Sequence, residues 1–227
     1  RNDDCRDNAY ACFDVNVMGT LNLIEAARHK HVRQFIFASS EWVYDSFADK
    51  EEKSEESPID ISRLTSEYAL SKLASEINLR QKCLHGFCPV TILRFGIVYG
   101  PRKTNWSAVE SLFHSVQDGS DIRVGSLQTA RRFIHVSDIA SGILKAIGLP
   151  GFQVVNLQGP RLVSLGEIIE VSGKILGKTP RVAETNPASR NVRNVSNQKA
   201  LQLLNWKPEI SLELGLQSLL PIESAQL

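Results

Sequence analysis

Apolar residues at Phe13, Val17, Leu21, Ile24 and Ala27 recur at intervals of three and four, which predicts an amphipathic helix from about residue 8 to residue 30. Arg28, His29 and Lys30 suit the C-terminal end of such a helix. The run Gln34-Phe-Ile-Phe-Ala38 is short, apolar and closed by Ser39 and Ser40, so it predicts a buried strand. The acidic stretch from Asp49 to Glu56, ended by Pro58, predicts a loop. A second long helix is expected from about Thr65 to Leu84, with Leu70, Leu73, Ile77 and Leu84 along one side, and Pro89-Val-Thr-Ile-Leu-Arg94 reads as the next buried strand. Gly96 to Pro101 reads as a loop.

Helix, strand, helix, strand with continuously apolar strands implies crossover connections and a parallel sheet covered on both faces, the doubly wound α/β pattern. After Pro101 the rhythm loosens. Helices are expected near 107–117, 137–147 and 165–176, and short strands near 122–124, 132–135 and 154–157. This second part predicts a smaller α+β lobe.

Composition narrows the function classes. The 227 residues are 42% hydrophobic and 22% charged with a net charge of +1, which is ordinary for a globular protein and gives no nucleic-acid or polybasic membrane footprint. The sequence has no apolar run of membrane-spanning length and does not open like a signal peptide, so a cytoplasmic protein is expected. Cysteines 5, 12, 83 and 88 form no metal-ligand spacing and read as free thiols, with no metal site expected.

The chemistry starts with Tyr68-Ala-Leu-Ser-Lys72, a phenol and an ammonium four residues apart on a predicted helix and hence one turn apart on one face. A neighbouring cation favours a phenolate and should lower a tyrosine pKa from its ordinary value of about 10 toward a working general acid or base. Spacing alone is weak evidence. Tyr99-Gly-Pro-Arg-Lys103 has the same spacing, but Gly100 and Pro101 forbid a continuous helix there. The better support is Ser39-Ser40-Glu41-Trp42-Val43-Tyr44, which follows the predicted strand where side chains at the carboxyl edge of a parallel sheet face a ligand crevice.

Taken together, these segments resemble the extended short-chain dehydrogenase/reductases, specifically the NAD-dependent sugar epimerase/dehydratase group. The resemblance is carried by residues 16–27, 39–44, 68–76, 93–101 and 131–140, and further by Asn156 to Gly159 and Asn205 to Pro208, in order over nearly the whole chain. It implies a Rossmann-like NAD(P)-binding domain from 1–96 and 132–157, and a substrate lobe from 97–131 and 158–227. Ser40, Tyr68 and Lys72 are implied as catalytic, and Asn16, Ser39, Tyr68 and Lys72 as cofactor-binding. Ser40, Glu41, Trp42 and Arg131 are implied as substrate-binding, with Arg131 meeting phosphates through its planar fork. The implied activity is epimerisation of a sugar, a nucleotide sugar of the UDP-glucose type, by transient oxidation to a keto-sugar. A homodimer joined by the helices at 8–30 and 65–84 is implied as well.

Three departures bear on this. No Gly-x-x-Gly-x-x-Gly occurs in the chain, so the resemblance implies that the first β/α units of the fold are missing and that the isolated chain binds cofactor poorly or is inactive. Ile97 stands where nucleotide-sugar members have an asparagine, and Asn186-Pro-Ala-Ser189 replaces a charged nucleotide-contacting segment, with Arg190 or Arg193 as substitutes. Dehydratases carry an acidic pair where this chain has Glu41 and Trp42, which favours epimerisation. The alternatives are an NADP-dependent aldehyde or ketone reductase using the same three residues, and an inactive NAD-binding-fold protein. NAD is the expected cofactor and NADP the alternative.

Overall fold

The computed structural model describes residues 2–45, 47–48 and 50–221. The longer elements run, in chain order, α1 (Gly19–His29), β1 (Phe35–Ser40), α2 (Glu67–Leu84), β2 (Val90–Phe95), α3 (Ala108–Asp118), β3 (Ile122–Val124), α4 (Val136–Lys145), β4 (Phe152–Leu157), α5 (Leu165–Leu176) and β5 (Val182–Glu184). They fall into two compact units. The first holds Arg1–Phe95, Ser141–Leu157 and Val195–Trp206; the second holds Gly96–Ala140, Gln158–Asn194 and Lys207–Leu227. Relative to the boundaries expected from sequence, 132–140 lie with the second unit and 195–206 with the first. Of the expected acidic loop, Asp49 lies outside the described residues, and Glu52–Lys53 forms a short strand.

In the first unit β1, β2 and β4 form a parallel sheet with β2 in the centre. Parallel neighbours require a crossover, and α2 supplies it between β1 and β2. The register sets three rows across one face: Phe35, Val90 and Phe152; Phe37, Ile92 and Val154; Ser39, Arg94 and Asn156. The first two rows are apolar and pack against Leu21 and Ile24 of α1 and Leu79 and Cys83 of α2. The third row, nearest the carboxyl end, is polar. On the opposite face the C-terminal half of α4 comes close, because a Cβ on Gly142 would stand 2.7 Å from a Leu157 methyl. Trp206 Nε1 donates to Ser141 Oγ there at 2.8 Å. Helices therefore cover both faces, the expected doubly wound arrangement.

The helix expected over 8–30 is a succession rather than one rod. A short helix Asn2–Asp7 is followed by Ala9–Phe13, capped by Asn8, then a wide π-type turn over Asp14–Met18, then α1. Phe13, Val17 and Leu21 are spaced by four, slightly more than the 3.6-residue repeat, and the wide turn takes up the excess. Cys5 and Cys12 are joined in a disulfide with their Cα atoms 5.0 Å apart, which corrects the free-thiol expectation for this pair. In a continuous helix residues seven apart would stand about 10 Å apart, so the break at Asn8 is what brings them together. Cys83 and Cys88 are free.

In the second unit β3 and β5 pair in parallel, and α3 and α5 enclose a core of Phe113, Val116, Ile168 and Ile169 with Tyr99, Phe133, Leu212 and Leu216. A capping box of Ser107 and Glu110 starts α3, and Gly119, at φ +69, ends it in the left-handed conformation. Ile97 packs against this core, so its side chain is used for packing. Among the described residues no helix is long and apolar enough to cross a membrane.

Candidate active site

The carboxyl end of β1 and one face of α2 build the site. Ser66 caps α2, and Asp45 takes the backbone N–H and hydroxyl of Thr65 just before it, so the helix start is fixed from the chain that follows β1. Tyr68, Lys72 and Glu76 then succeed one another at four-residue steps on one face. They meet three consecutive residues of β1. The Tyr68 phenol faces the Ser40 side chain, whose polar contact favours the phenolate. Lys72 Nζ donates to the Ala38 carbonyl at 3.0 Å. The Ser39 hydroxyl donates to Glu76 Oε1.

Ser40 also accepts the Trp42 N–H at 3.3 Å, capping the tight turn Glu41–Tyr44. This second bond limits where its oxygen can sit. Glu41 is buried in that turn and Trp42 is half-buried. Burial raises the Tyr68 phenol above its ordinary range, against the polar contact of Ser40, which lowers it. The sequence expectation was a lowering by Lys72. The ammonium lies 5.8 Å from the Tyr68 ring centroid and is directed at a backbone carbonyl, and it does not reverse the effect of burial. Burial also lowers Lys72 itself, opposed by the charge of Glu76.

Behind these groups lies a polar network that sequence reasoning missed. Arg94 grips Glu76 with two bonds, Nε to Oε1 at 3.0 Å and Nη2 to Oε2 at 2.6 Å, and its Nη1 donates to the Tyr44 hydroxyl at 2.9 Å. Tyr44 in turn donates to Asn156 Oδ1 at 3.0 Å, and the Asn156 backbone N–H donates to Glu55 at 2.6 Å. Burial works against the charge on Arg94, yet Glu76 and Tyr44 hold its pKa above the ordinary value. One signal was available in the sequence: Arg94 is a lone charge closing a continuously apolar strand, and a buried cation requires a counter-ion.

The other expected residues are placed as follows. Asn16, in the wide turn before α1, donates through Nδ2 to Ser71 Oγ at 2.9 Å, and Ser71 donates to the Tyr68 carbonyl at 2.8 Å. Asn16 thus braces the first turn of α2. Arg131 belongs to the second unit, where its Nη1 donates to the carbonyls of Ala130 and Asn191 at 2.8 and 2.6 Å. Arg193 is buried and Arg190 exposed. Tyr99 is a buried core residue stacked edge-on against His135, and residues 99–103 form no helix.

The donor set suits one end of a dinucleotide. An ammonium has three N–H donors, and Lys72 gives one to Ala38, so it could also hold a cofactor hydroxyl, while the neighbouring Ser40 and Tyr68 hydroxyls could meet a substrate oxygen.

The model of the NAD dependent epimerase/dehydratase family matches residues 2–157. A UDP-glucuronate 4-epimerase of Thermodesulfobacterium geofontis is 29% identical over 218 residues, 93% of this chain and 65% of that protein. The chain thus spans somewhat under two thirds of that relative's length. The crystal structure of a UDP-glucuronic acid 4-epimerase from Bacillus cereus in complex with NAD superposes with a TM-score of 0.80 at 27% identity, covering 89% of this chain and 65% of that one. RMD from Pseudomonas aeruginosa, complexed with NADPH, gives a TM-score of 0.86 at 23% identity over 96% of this chain and 76% of that one, a likeness of fold.

Proposed function

The chain belongs to the NAD-dependent epimerase/dehydratase family, and from that premise we propose that its site serves the NAD-dependent epimerisation of a nucleotide sugar through a transient ketone. The observation that carries the reading is the grouping of Tyr68 and Lys72, one turn apart on α2 with Nζ 5.8 Å from the phenol ring, against Ala38 and Ser40 at the carboxyl end of β1. Two hydroxyls held together by a cap and a helix face can bind one substrate oxygen and move one proton.

In this reading Tyr68 takes the proton of a sugar hydroxyl while the carbon bearing it becomes a carbonyl, and later returns that proton. Ser40 donates to the same oxygen and keeps it aligned. When bound, NAD would supply a reversible hydride acceptor for that carbon, and the positive charge of its oxidised form would favour the phenolate. Lys72 would hold the nicotinamide ribose, and we assign Asn16 and the Ser39 backbone to the cofactor as well; the Ser39 hydroxyl is already committed to Glu76 and the Asn16 amide to Ser71. Glu41 and Trp42 would shape the sugar pocket, and we assign Arg131 to the substrate's phosphates. Trp42 supplies no carboxyl where a dehydratase needs its second acid, which supports epimerisation. Val15, Met18 and Leu23 on the first helical run and Ile77 and Leu84 on α2 are exposed apolar residues, and we assign them to a second copy of the protein.

The test is to purify the complete protein and assay it with UDP-glucose and UDP-glucuronate. The reading predicts C4 epimers by NMR, NAD retained through purification and no net accumulation of NADH. Stoichiometric NADPH oxidation by an aldehyde or ketone without epimer would replace it with a reductase, and a 4-keto-6-deoxy product with a dehydratase. Light scattering that gives a monomer at micromolar concentration would remove the second copy.

A further inference from the structure

We propose that Glu76 is a positioning residue for Tyr68: anchored by Arg94, its carboxylate clamps the segment from Ser39 to Tyr44 against α2 and so sets how Ser40 approaches Tyr68. The inference rests on the reading of Tyr68 as the acid/base group. Its geometry stands apart from that reading.

The clamp has two jaws. At the start of the segment the Ser39 hydroxyl donates to Glu76 Oε1. At its end the Tyr44 hydroxyl accepts from Arg94 Nη1 at 2.9 Å. Glu76 and Arg94 are themselves locked by two parallel bonds, so both jaws belong to one rigid unit. Between the jaws lies Ser40, which caps the turn and meets Tyr68. Glu76 sits on the same face of α2 as Tyr68, two turns further on, and the clamp therefore references Ser40 to the helix that carries its partner.

The choice of residues supports positioning over stability. The Glu76 and Arg94 side chains are 5% and 7% exposed, and a buried ion pair is a poor source of stability compared with apolar packing. The two preceding rows of the same sheet face are apolar, and the polar row appears only beside Ser40. Apolar contacts tolerate sliding, whereas a bidentate fork fixes direction. The charged and titratable groups around the clamp are Lys72 and Arg80 on α2, Glu41 and Tyr44 in the turn, Arg94 on β2, and Glu55, Glu56 and Lys199, which share a cavity with Glu76 and Arg94.

The test uses the complete NAD-loaded protein and Ser39→Ala, which opens one jaw while leaving the Glu76–Arg94 pair whole. Tyr68 is titrated by tyrosinate absorbance, isolated by subtracting the Tyr68→Phe counterpart. With the clamp open Ser40 is free to move away from the phenol, and the Tyr68 midpoint should rise by about one unit. Turnover should fall about tenfold or more at unchanged KM. Ser39→Thr, which keeps the hydroxyl, should restore both. A folded Ser39→Ala protein with an unmoved Tyr68 midpoint and an unchanged pH profile would overturn the proposal. If Tyr68→Phe leaves turnover intact, the acid/base reading fails, while the midpoint still decides the clamp. Glu76→Gln is the second variant: a folded protein with the native Tyr68 midpoint would also overturn the proposal.

Discussion

Removing both members of the buried Arg94–Glu76 pair should cost less stability than removing either one. Arg94→Met alone leaves a carboxylate at a position 5% exposed with the Ser39 hydroxyl as its remaining donor, and Glu76→Leu alone leaves a buried guanidinium without the carboxylate that balances its charge. Breaking such a pair from one side costs about 3–5 kcal/mol. The double variant Arg94→Met/Glu76→Leu removes both charges and puts an apolar side chain at position 94, next to Val90 and Ile92 on the same face of the central strand. What it leaves is the Ser39 hydroxyl without its acceptor and Tyr44 without one donor, at about 1 kcal/mol each. Tyr44 keeps Asn156. The two single losses then sum to at least about 6 kcal/mol against about 2–3 for the double, a coupling of at least about 3 kcal/mol. Urea unfolding reads it, followed by circular dichroism and by the fluorescence of Trp42 and Trp206, both in the first unit, with coincident curves as the two-state check. Single losses that add to the double within about 0.5 kcal/mol would show that the two side chains do not share one buried site.

Other consequences follow from single contacts. A Cβ on Gly215 would stand 2.0 Å from the Tyr99 hydroxyl, so Gly215→Ala should lower stability by about 1–3 kcal/mol despite its better helix propensity, and Tyr99→Phe should recover part of the loss in a thermal melt. Opening the Cys5–Cys12 disulfide by Cys5→Ser/Cys12→Ser should cost about 2 kcal/mol, visible as increased hydrogen exchange over residues 2–18; unchanged exchange would contradict the bond's role. Burial raises the Glu55 carboxyl above its ordinary value of 4.5, so the folded state holds a proton that the unfolded chain has released. That contribution is present below the ordinary value and lost as pH rises through the folded one. The urea midpoint of the parent should therefore fall relative to Glu55→Gln as pH rises above 4.5, and parallel midpoints would refute the burial of Glu55.

Elements whose faces are buried were legible in the sequence. The helix expected over 165–176 is α5, Leu165–Leu176, and the runs at 34–38 and 89–94 are β1 and β2 within two residues, because apolar periodicity records burial directly. The features that depend on distant partners were not. The Cys5–Cys12 bond needs the chain break at Asn8, the placing of 195–206 in the first unit needs contacts with strands far along the chain, and Arg94 does not announce that its partner is Glu76. For the site, spacing put Tyr68 and Lys72 on one face, and the strand's end put Ser40 nearby. The direction of the Tyr68 pKa was misjudged because helical spacing shows a neighbouring charge and does not show the burial that outweighs it. Glu76 lay within a recognised motif, yet its role depends on Ser39 and Tyr44, which only folding brings to it.

The central claim is that Tyr68 moves the proton at this site. Its most direct test is the turnover of Tyr68→Phe in the complete protein with NAD bound, a change that removes one oxygen and keeps the ring. The account predicts a fall of about 10²–10⁴-fold in kcat with the fold and NAD retention intact. Undiminished turnover would contradict it.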